Sequence, residues 1–267
     1  MKKFSLFFSF FISIVIAFSA YPQKVAFKVG EKLVYEAAYN FHFIWVPAAT
    51  ATLSIKSGVY NSNNVFVFDA VASSLKSYDW LFKVRNKYAS MADQTSMLSY
   101  WFDRHTCEGD KVVTEQYSID HQKKQIYTVY KDCKKPLVID TISFNTPISD
   151  AITAAYNLRN LDYSKLKKDE KINIPIVLDN RIISFYVRYK GKDVLVSHDK
   201  HFYNCHKFSA LAIEGTVFKG GEDIFVWVSD DENHVPIQIE AKILIGSVKI
   251  QLRSTENLVY PFKAFIK

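Results

Sequence analysis

The stretch "ATATLSIKSG", residues 49–58, decides the fold class. Ala51, Leu53 and Ile55 alternate with polar residues, so the hydropathy of the chain changes at every second position. Successive side chains of a β-strand point to opposite faces of the sheet, so this period predicts a strand with one buried face and one solvated face.

The same alternation recurs in "RIISFYVRYKG", residues 181–191, and more weakly elsewhere along the chain. Asp179 and Asn180 precede it, and both residue types tolerate a positive φ, which predicts a tight hairpin. We expect the next two connections at "YKGKD" (189–193) and "VSHDKHF" (196–202). The sequence therefore predicts a mainly β protein, either a strongly curled antiparallel sheet or an open, incomplete β-barrel.

The C-terminal run "PIQIEAKILIGSVKIQL", residues 236–252, contains a shift in its apolar phase. The apolar positions are odd-numbered up to Ile245 and even-numbered from Val248 onward. A continuous strand cannot absorb a one-residue shift without turning its side chains to the other face. A bulge or a sharp bend at Gly246-Ser247 is therefore expected.

One amphipathic helix is predicted at about residues 146–159. Thr146 or Ser149 could cap it, and Asp150 lies near its positive dipole end. We expect residues 21–267 to form a single β-rich domain, either undivided or built from two sheet halves that this helix joins.

The first 20 residues have the pattern of a secretory signal peptide. Lys2 and Lys3 are followed by an apolar run from Phe4 to Phe18, and small residues follow at 19–20. A membrane anchor is the alternative, but the run is short for the roughly 20 residues that span a bilayer. No cysteine follows the run, so lipoprotein processing is not expected. The sequence predicts an exported, periplasmic chain without a transmembrane anchor after cleavage.

Composition and charge exclude some classes of protein. Hydrophobic residues make up 49% of the chain and aromatic residues 15%, which excludes a disordered chain. Removing Lys2 and Lys3 leaves 32 basic side chains against 27 acidic ones. This modest and dispersed excess does not predict nucleic-acid binding.

The cysteine count allows one disulfide bond. Cys107 and Cys133 lie in polar, loop-like contexts on either side of an apparent strand pair, so they are the favoured pair. Cys205 lies in a more apolar stretch and is expected to be a buried small hydrophobic residue.

Motifs for catalysis or metal binding are absent from the sequence. Neither the G-x-S-x-G and H-E-x-x-H motifs nor paired ligand spacings for zinc occur, so we expect surface histidines, no metal and no cofactor. Asp230, Asp231 and Glu232 form an acidic cluster, and three adjacent acids in a predicted hairpin turn are expected to point into solvent.

The segment "DWLFKVRNKYAS", residues 79–90, interleaves aromatic and cationic residues. Two interpretations remain for Trp80, Phe82, Arg85 and Tyr88. They could be core aromatic residues with a basic outer face, which is the commoner arrangement in a sheet, or the rim of a site that holds an apolar ligand with an acidic head.

Four stretches resemble an exported bacterial family known as domain of unknown function 3108. They are "FKVGEKLVYEAAYNF" (27–41), "DWLFKVRNKYAS" (79–90), "AYNLRNLDYSKLKKDEKINIPIVLDN" (155–180) and "IFVWVSDDENHVPIQIEAKILIGSVKIQL" (224–252). The resemblance extends over roughly residues 27–260. It implies a secreted or periplasmic β-rich protein of Gram-negative bacteria, with no catalytic residues to carry over. Similarity to open-barrel lipoprotein carriers rests on shape alone.

These observations favour a non-catalytic envelope protein that binds or carries an apolar or amphipathic molecule, such as a lipid. A hydrolase acting on cell-envelope polymers is one alternative, and a structural or interaction protein of the envelope, with a protein partner, is the other.

Overall fold

A computed structural model describes residues 25–41, 44–80, 82–197, 200–212, 221–242 and 247–266. The predicted signal peptide, residues 1–20, lies outside the described residues. The described elements comprise one α-helix, α1 (Ala151–Arg159), two short 3-10 helices (Lys76–Tyr78 and Tyr163–Lys165) and fifteen strands. The strands are β1 (Lys32–Phe41), β2 (Ile44–Tyr60), β3 (Asn63–Ser74), β4 (Val84–Asp93), β5 (Ser99–Glu108), β6 (Lys111–Asp120), β7 (Gln125–Asp132), β8 (Val138–Ser143), β9 (Ser149–Asp150), β10 (Lys171–Leu178), β11 (Arg181–Val196), β12 (Phe202–Ala212), β13 (Gly221–Ser229), β14 (Pro236–Lys242) and β15 (Ser247–Glu256).

All fifteen strands belong to one sheet. Their order is β8-β7-β6-β5-β4-β3-β2-β1-β15-β14-β13-β12-β11-β10-β9, so β8 and β9 are the two ends of an unclosed sheet. Every neighbouring pair is antiparallel except the short pair β9–β10, which is parallel. The prediction of a mainly β protein with an open antiparallel sheet is confirmed. We call β1–β8 the N-terminal half of the sheet and β10–β15 the C-terminal half.

Alternation and turn chemistry identified several of these elements correctly. The 49–58 stretch lies in β2, where Ile55 is buried. Asp179 and Asn180 both have positive φ values, 53° and 55°, and join β10 to β11 as a tight hairpin. The predicted connection at 189–193 is wrong, because β11 continues through it. A register shift between Tyr189 and Gly191, whose φ is 100°, absorbs the irregularity without ending the strand.

The C-terminal run reverses direction rather than bending. Residues 243–246, including the predicted bulge at Gly246, lie outside the described residues. The segments on either side, β14 and β15, pair with each other in antiparallel register, with Ile239 opposite Ile250. A chain reversal explains the phase shift because the second segment begins a new strand with its own register.

Helix α1 begins at Ala151, later than the predicted start at 146. Residues Ser149 and Asp150 are extended and pair with β10, so neither Thr146 nor Ser149 is the cap. Asp150 is the N-cap: Oδ1 of its carboxylate accepts hydrogen bonds from the backbone amides of Ile152 and Thr153 at 2.8 and 2.9 Å. A capping carboxylate also satisfies the positive end of the helix dipole, which favours this start.

Both ends of α1 are tied to the sheet by buried polar contacts. Oδ2 of Asp150 accepts hydrogen bonds from the Ser90 and Ser99 hydroxyls at 2.7 and 2.5 Å. At the other end, Arg159 donates to both carboxylate oxygens of Glu31, at 2.6 and 2.9 Å. The helix is therefore fixed in position across the curled sheet, with its register and direction set by these contacts.

The interior of the N-terminal half contains a packed aromatic cluster. Phe102 and Tyr117 stack with ring centroids 4.8 Å apart, and both are almost fully buried. Val177 of β10 packs into the same cluster, and its carbonyl accepts a 2.7 Å hydrogen bond from the Tyr117 hydroxyl. The β10–β11 hairpin is held there as well, because Asp179 accepts from Arg104 at 2.5 Å. On the side toward the C-terminal half of the sheet, cavities adjoin α1.

Candidate functional site: two adjoining cavities beside helix α1

A cavity of about 360 Å³ separates α1 from the C-terminal half of the sheet. We call it the apolar cavity because aliphatic and aromatic side chains supply most of its lining. Its lining residues are Ala151, Ala154, Ala155, Leu158, Arg159, Tyr163, Ile176, Leu178, Phe185, Val187, Phe208, Ala210, Ile224, Val226, Val228, Pro236 and Ile239. Ala155 is exposed to solvent although it lines the cavity, so we place the opening beside this residue.

A second cavity, of about 870 Å³, adjoins the C-terminal end of α1. We call it the polar cavity. It is lined by the segment that follows the helix, by the β13–β14 turn and by side chains of β11 and β12. Its lining residues are Ala26, Arg159, Asn160, Leu161, Asp162, Tyr163, Ser164, Leu166, Tyr189, Lys192, His206, Asp230, Asp231, Glu232, His234 and Lys263.

Four side chains of the polar cavity form a continuous chain of hydrogen bonds. The Tyr189 hydroxyl lies 2.8 Å from Nδ1 of His206, and Nε2 of His206 lies 2.8 Å from Oδ1 of Asp230. Oδ2 of Asp230 accepts a 2.7 Å hydrogen bond from Nζ of Lys192. The sheet makes this arrangement possible, because the β11–β12 register places Lys192 directly opposite His206.

The pKa shifts in this chain favour one proton arrangement. Burial lowers the pKa of His206, although Asp230 acts in the opposite direction. Burial alone would raise the pKa of Asp230, but Lys192 and His206 outweigh it and hold that pKa below its usual value. Burial raises the pKa of Tyr189. At neutral pH an ionised Asp230 therefore accepts the Nε2 proton of a neutral His206, whose Nδ1 accepts from the Tyr189 hydroxyl.

His234 in the β13–β14 turn is held in a different way. Its Nδ1 donates to the Arg159 carbonyl at 2.6 Å, and its ring stacks on Tyr163 with centroids 3.9 Å apart and planes 12° apart. Burial lowers the pKa of His234, so the ring is neutral at pH 7. Its Nε2 then carries a lone pair, and this atom has no hydrogen-bond partner among the described residues.

Arg159 and Tyr163 line both cavities, so the two spaces share a wall. Arg159 is held by several protein acceptors: both of its terminal nitrogens donate to Glu31, Nη2 also donates to the Ala26 carbonyl, and Nε donates to the Asn233 carbonyl. The Tyr163 hydroxyl donates to the Leu158 carbonyl at 3.1 Å. Both side chains are therefore held by protein groups at the place where the two cavities adjoin.

The residues predicted as a ligand rim do not line either cavity. Trp80 and Phe82 lie in the connection before β4 rather than on a strand face, and they are 81% and 46% exposed. Arg85 forms an ion pair with Asp79 at 2.6 Å, which closes this connection on itself. Tyr88 is half-buried against Phe102, and burial raises its pKa to about 12. Only Tyr88 packs into the core, so neither interpretation of this segment fits all four residues.

All three cysteines are free thiols in the structure. Cys107 is on β5 and Cys133 follows β7, so strand β6 runs between them. Strands separated by an intervening strand lie roughly 9–10 Å apart, beyond the Cα separation that a disulfide bond tolerates. The expected pair is therefore not joined. Cys205 is buried as expected, and burial raises the pKa of its thiol to about 12.

Sequence reasoning missed the polar cavity. Two acids of the cluster are bonded within the fold rather than directed into solvent: Asp230 bonds to His206, and Asp231 accepts from the Ser229 hydroxyl and the Asn233 backbone amide. Glu232 lies 3.9 Å from Lys263, and its side chain is 39% exposed. His206 is also buried rather than on the surface. One sequence signal could have suggested the site: His206 and His234 each have acidic or aromatic residues as near neighbours in the sequence. Their convergence depends on strand register, which the sequence does not show.

Within the residues that the structure describes, no three His, Cys, Asp or Glu side chains are grouped so that they could hold a metal ion. Likewise, the described part of the chain contains no helix of the length and hydropathy needed to span a membrane.

Residues 34–253 match the family described as "Protein of unknown function (DUF3108)". The chain belongs to the DUF3108 family. No curated protein matches this DUF3108 chain. Among solved structures, the chain is similar to the crystal structure of a beta-barrel-like protein of the DUF1849 family from Brucella abortus. The TM-score is 0.52 and the sequence identity 9%, over 86% of this chain and 98% of that one. At this identity the similarity concerns the fold alone.

Proposed function

We propose that this DUF3108 protein is a non-catalytic binding or carrier module whose apolar cavity holds the hydrocarbon part of an apolar or amphipathic molecule. The observation that carries the proposal is the contrast between the two sides of α1. The N-terminal half is packed with aromatic side chains, whereas the C-terminal half encloses an open cavity of about 360 Å³. This volume lies within the range of roughly 300–1,000 Å³ that is usual for small-molecule sites.

The lining of the apolar cavity suits a hydrocarbon chain. Val187, Phe208 and Val228 are buried on its sheet side, and Leu158 faces them from α1. Each methylene group moved from water into such surroundings contributes about 0.8 kcal/mol, which corresponds to roughly fourfold in affinity. Chain length should therefore govern binding until the cavity is filled.

The cellular setting is part of the same proposal. The signal-peptide pattern in residues 1–20 supports export to the periplasm, where an envelope lipid would be the natural ligand. In this proposal residues 21–267 act as one binding unit after cleavage.

The experiment is a fluorescence titration with 1-N-phenylnaphthylamine, an uncharged probe that brightens in apolar surroundings. The wild-type chain should bind it saturably. Ala155→Trp places an indole at the opening of the apolar cavity and should weaken binding at least tenfold.

Val194→Trp is the matched control, because Val194 is an exposed strand residue that lines neither cavity. Its titration should match that of the wild type. If the wild type fails to bind the probe, or if the two tryptophan variants bind it equally well, the proposal is wrong.

A hydrolase remains the second candidate, and the bonding of His206 to Asp230 and Tyr189 is the observation that favours it. A histidine held between a carboxylate and a hydroxyl can serve in acid–base chemistry. Both ring nitrogens are occupied by protein groups here, which fits a structural network equally well. Hydrolysis of p-nitrophenyl decanoate that His206→Gln abolishes would favour the hydrolase over the binding module.

A further inference from the structure

We propose that the polar cavity binds the head group of the same ligand, and that this head group carries hydrogen-bond donors and no negative charge. A hydroxyl-bearing head, such as the glycerol of an acylglycerol, belongs to this class. The inference rests on the proposed function, since it assigns the second half of one amphiphile to the second cavity. Three observations lead to it.

The first observation is that the two cavities adjoin. Arg159 and Tyr163 belong to the lining of both the apolar and the polar cavity. A molecule whose chain occupies the apolar cavity would therefore place its polar end beside Tyr163. There it would meet the stacked His234 ring, whose centroid is 3.9 Å from that of Tyr163.

The second observation is an unused acceptor atom on a well-fixed side chain. Asn160, which also lines the polar cavity, adds a buried Nδ2 donor that has no hydrogen-bond partner within the described part of the chain. Stacking on Tyr163 and the hydrogen bond from Nδ1 to the Arg159 carbonyl hold the His234 ring in the lining of the polar cavity, and Nε2 is bonded to none of the described residues. In contrast, both nitrogens of His206 are already bonded to Tyr189 and Asp230. A neutral imidazole with its Nδ1 proton engaged offers an acceptor at Nε2, which pairs with an O–H or N–H donor of a ligand.

The third observation is charge. Four carboxylates line the polar cavity with two lysines, Lys192 and Lys263, and a third lysine outside the lining, Lys165, pairs with Asp162 at 2.8 Å, so carboxylates still outnumber the lysines. The guanidinium of Arg159 is neutralised by Glu31 within 2.6 Å, so it offers no charge to a ligand. An anionic head group would therefore meet net repulsion, while a neutral hydroxyl-bearing head would not.

The test compares three ligands with the same ten-carbon acyl chain: 1-monodecanoylglycerol, methyl decanoate and decanoate. Each is titrated as a competitor against bound 1-N-phenylnaphthylamine. The glycerol ester should bind about tenfold more tightly than methyl decanoate, which has no donor, and more tightly than the decanoate anion.

The variant is His234→Asn. His234 has a φ of 45°, a conformation that asparagine tolerates well, and the asparagine amide can still donate to the Arg159 carbonyl. Loss of Nε2 should reduce the affinity for monodecanoylglycerol to that for methyl decanoate. Unchanged methyl decanoate binding shows that the variant is folded and that its apolar cavity is intact.

The control variant is His121→Asn, because His121 also contacts a backbone carbonyl, that of Ser99 at 2.7 Å, but lies outside both cavities. It should retain the preference for the glycerol head. If all three ligands bind the wild type with equal affinity, or if decanoate binds best, the head-group assignment is wrong while the apolar cavity stands. If none of the three displaces the probe, the proposed function itself fails.

Discussion

Arg159 and Glu31 form a buried bidentate ion pair that joins the C-terminal end of α1 to the residue preceding β1, with nitrogen–oxygen distances of 2.6 and 2.9 Å. Both side chains are almost completely removed from solvent. Since the same arginine forms part of the wall between the two cavities, this pair fixes the geometry on which the proposed site depends.

Breaking this pair should be costly. We expect Arg159→Met to lower the free energy of unfolding by about 3–5 kcal/mol, because it leaves the carboxylate of Glu31 buried without its partner. Urea denaturation of the full chain measures the change. The double variant Glu31→Leu/Arg159→Met removes both charges and should lose less than the single variant. A single variant as stable as the wild type would contradict this description.

Removing the N-cap of α1 should also lower the free energy of unfolding. Asp150→Ala removes an acceptor that serves two backbone amides and two serine hydroxyls, so we expect a loss of about 3 kcal/mol in unfolding free energy. The control is Asp162→Ala, which removes an exposed capping side chain from the short 3-10 helix Tyr163–Lys165. That change should cost less than about 1 kcal/mol by the same measurement. Equal losses in the two variants would be evidence against the buried cap.

Stability should fall as the pH drops below about 6.5. Burial lowers the pKa values of His206 and His234 in the folded chain, so the unfolded chain binds more protons between the lowered values and the ordinary value of 6.5. The free energy of unfolding therefore decreases through that window as the pH falls. Denaturation series between pH 7.5 and 5 should show a shallower decrease for His206→Gln. A flat profile for the wild type would disagree with neutral, buried histidines.

Trp80 should be dispensable for both stability and ligand binding. It is 81% exposed and lines neither cavity, so Trp80→Ala should change the free energy of unfolding by no more than about 0.5 kcal/mol. The titration with 1-N-phenylnaphthylamine should also be unchanged. Loss of probe binding in this variant would restore the rim interpretation of residues 79–90 and move the site to the N-terminal half.

Much of the fold could be predicted because its signals are local. Alternation over residues 49–58 and the Asp179-Asn180 turn depend only on neighbouring positions, and both predictions were correct. The start of α1 was predicted too early, because two features that the sequence does not show identify Asp150 as the cap. These are its extended backbone and its hydrogen bonds from Ser90 of β4 and Ser99 of β5. The phase shift near residue 246 was visible, but the sequence did not distinguish a bend from a reversal.

The candidate site could not be predicted for a related reason. Tyr189, His206, Asp230 and His234 come from β11, β12 and the β13–β14 turn, and they meet only because of strand register and the packing of α1. No short sequence motif predicts that these four side chains lie together. From the sequence alone, an exposed acidic turn and scattered surface histidines were the simpler interpretation. It was wrong because His206 is buried and because Asp230 and Asp231 are hydrogen-bonded within the fold.

Native mass spectrometry of the full chain, purified without detergent from the cells that express it, tests the central claim most directly. The account predicts one amphipathic molecule bound per wild-type chain, recoverable by lipid extraction and absent from Ala155→Trp. Wild-type protein that is repeatedly empty, or an adduct that survives unchanged in Ala155→Trp, would contradict it.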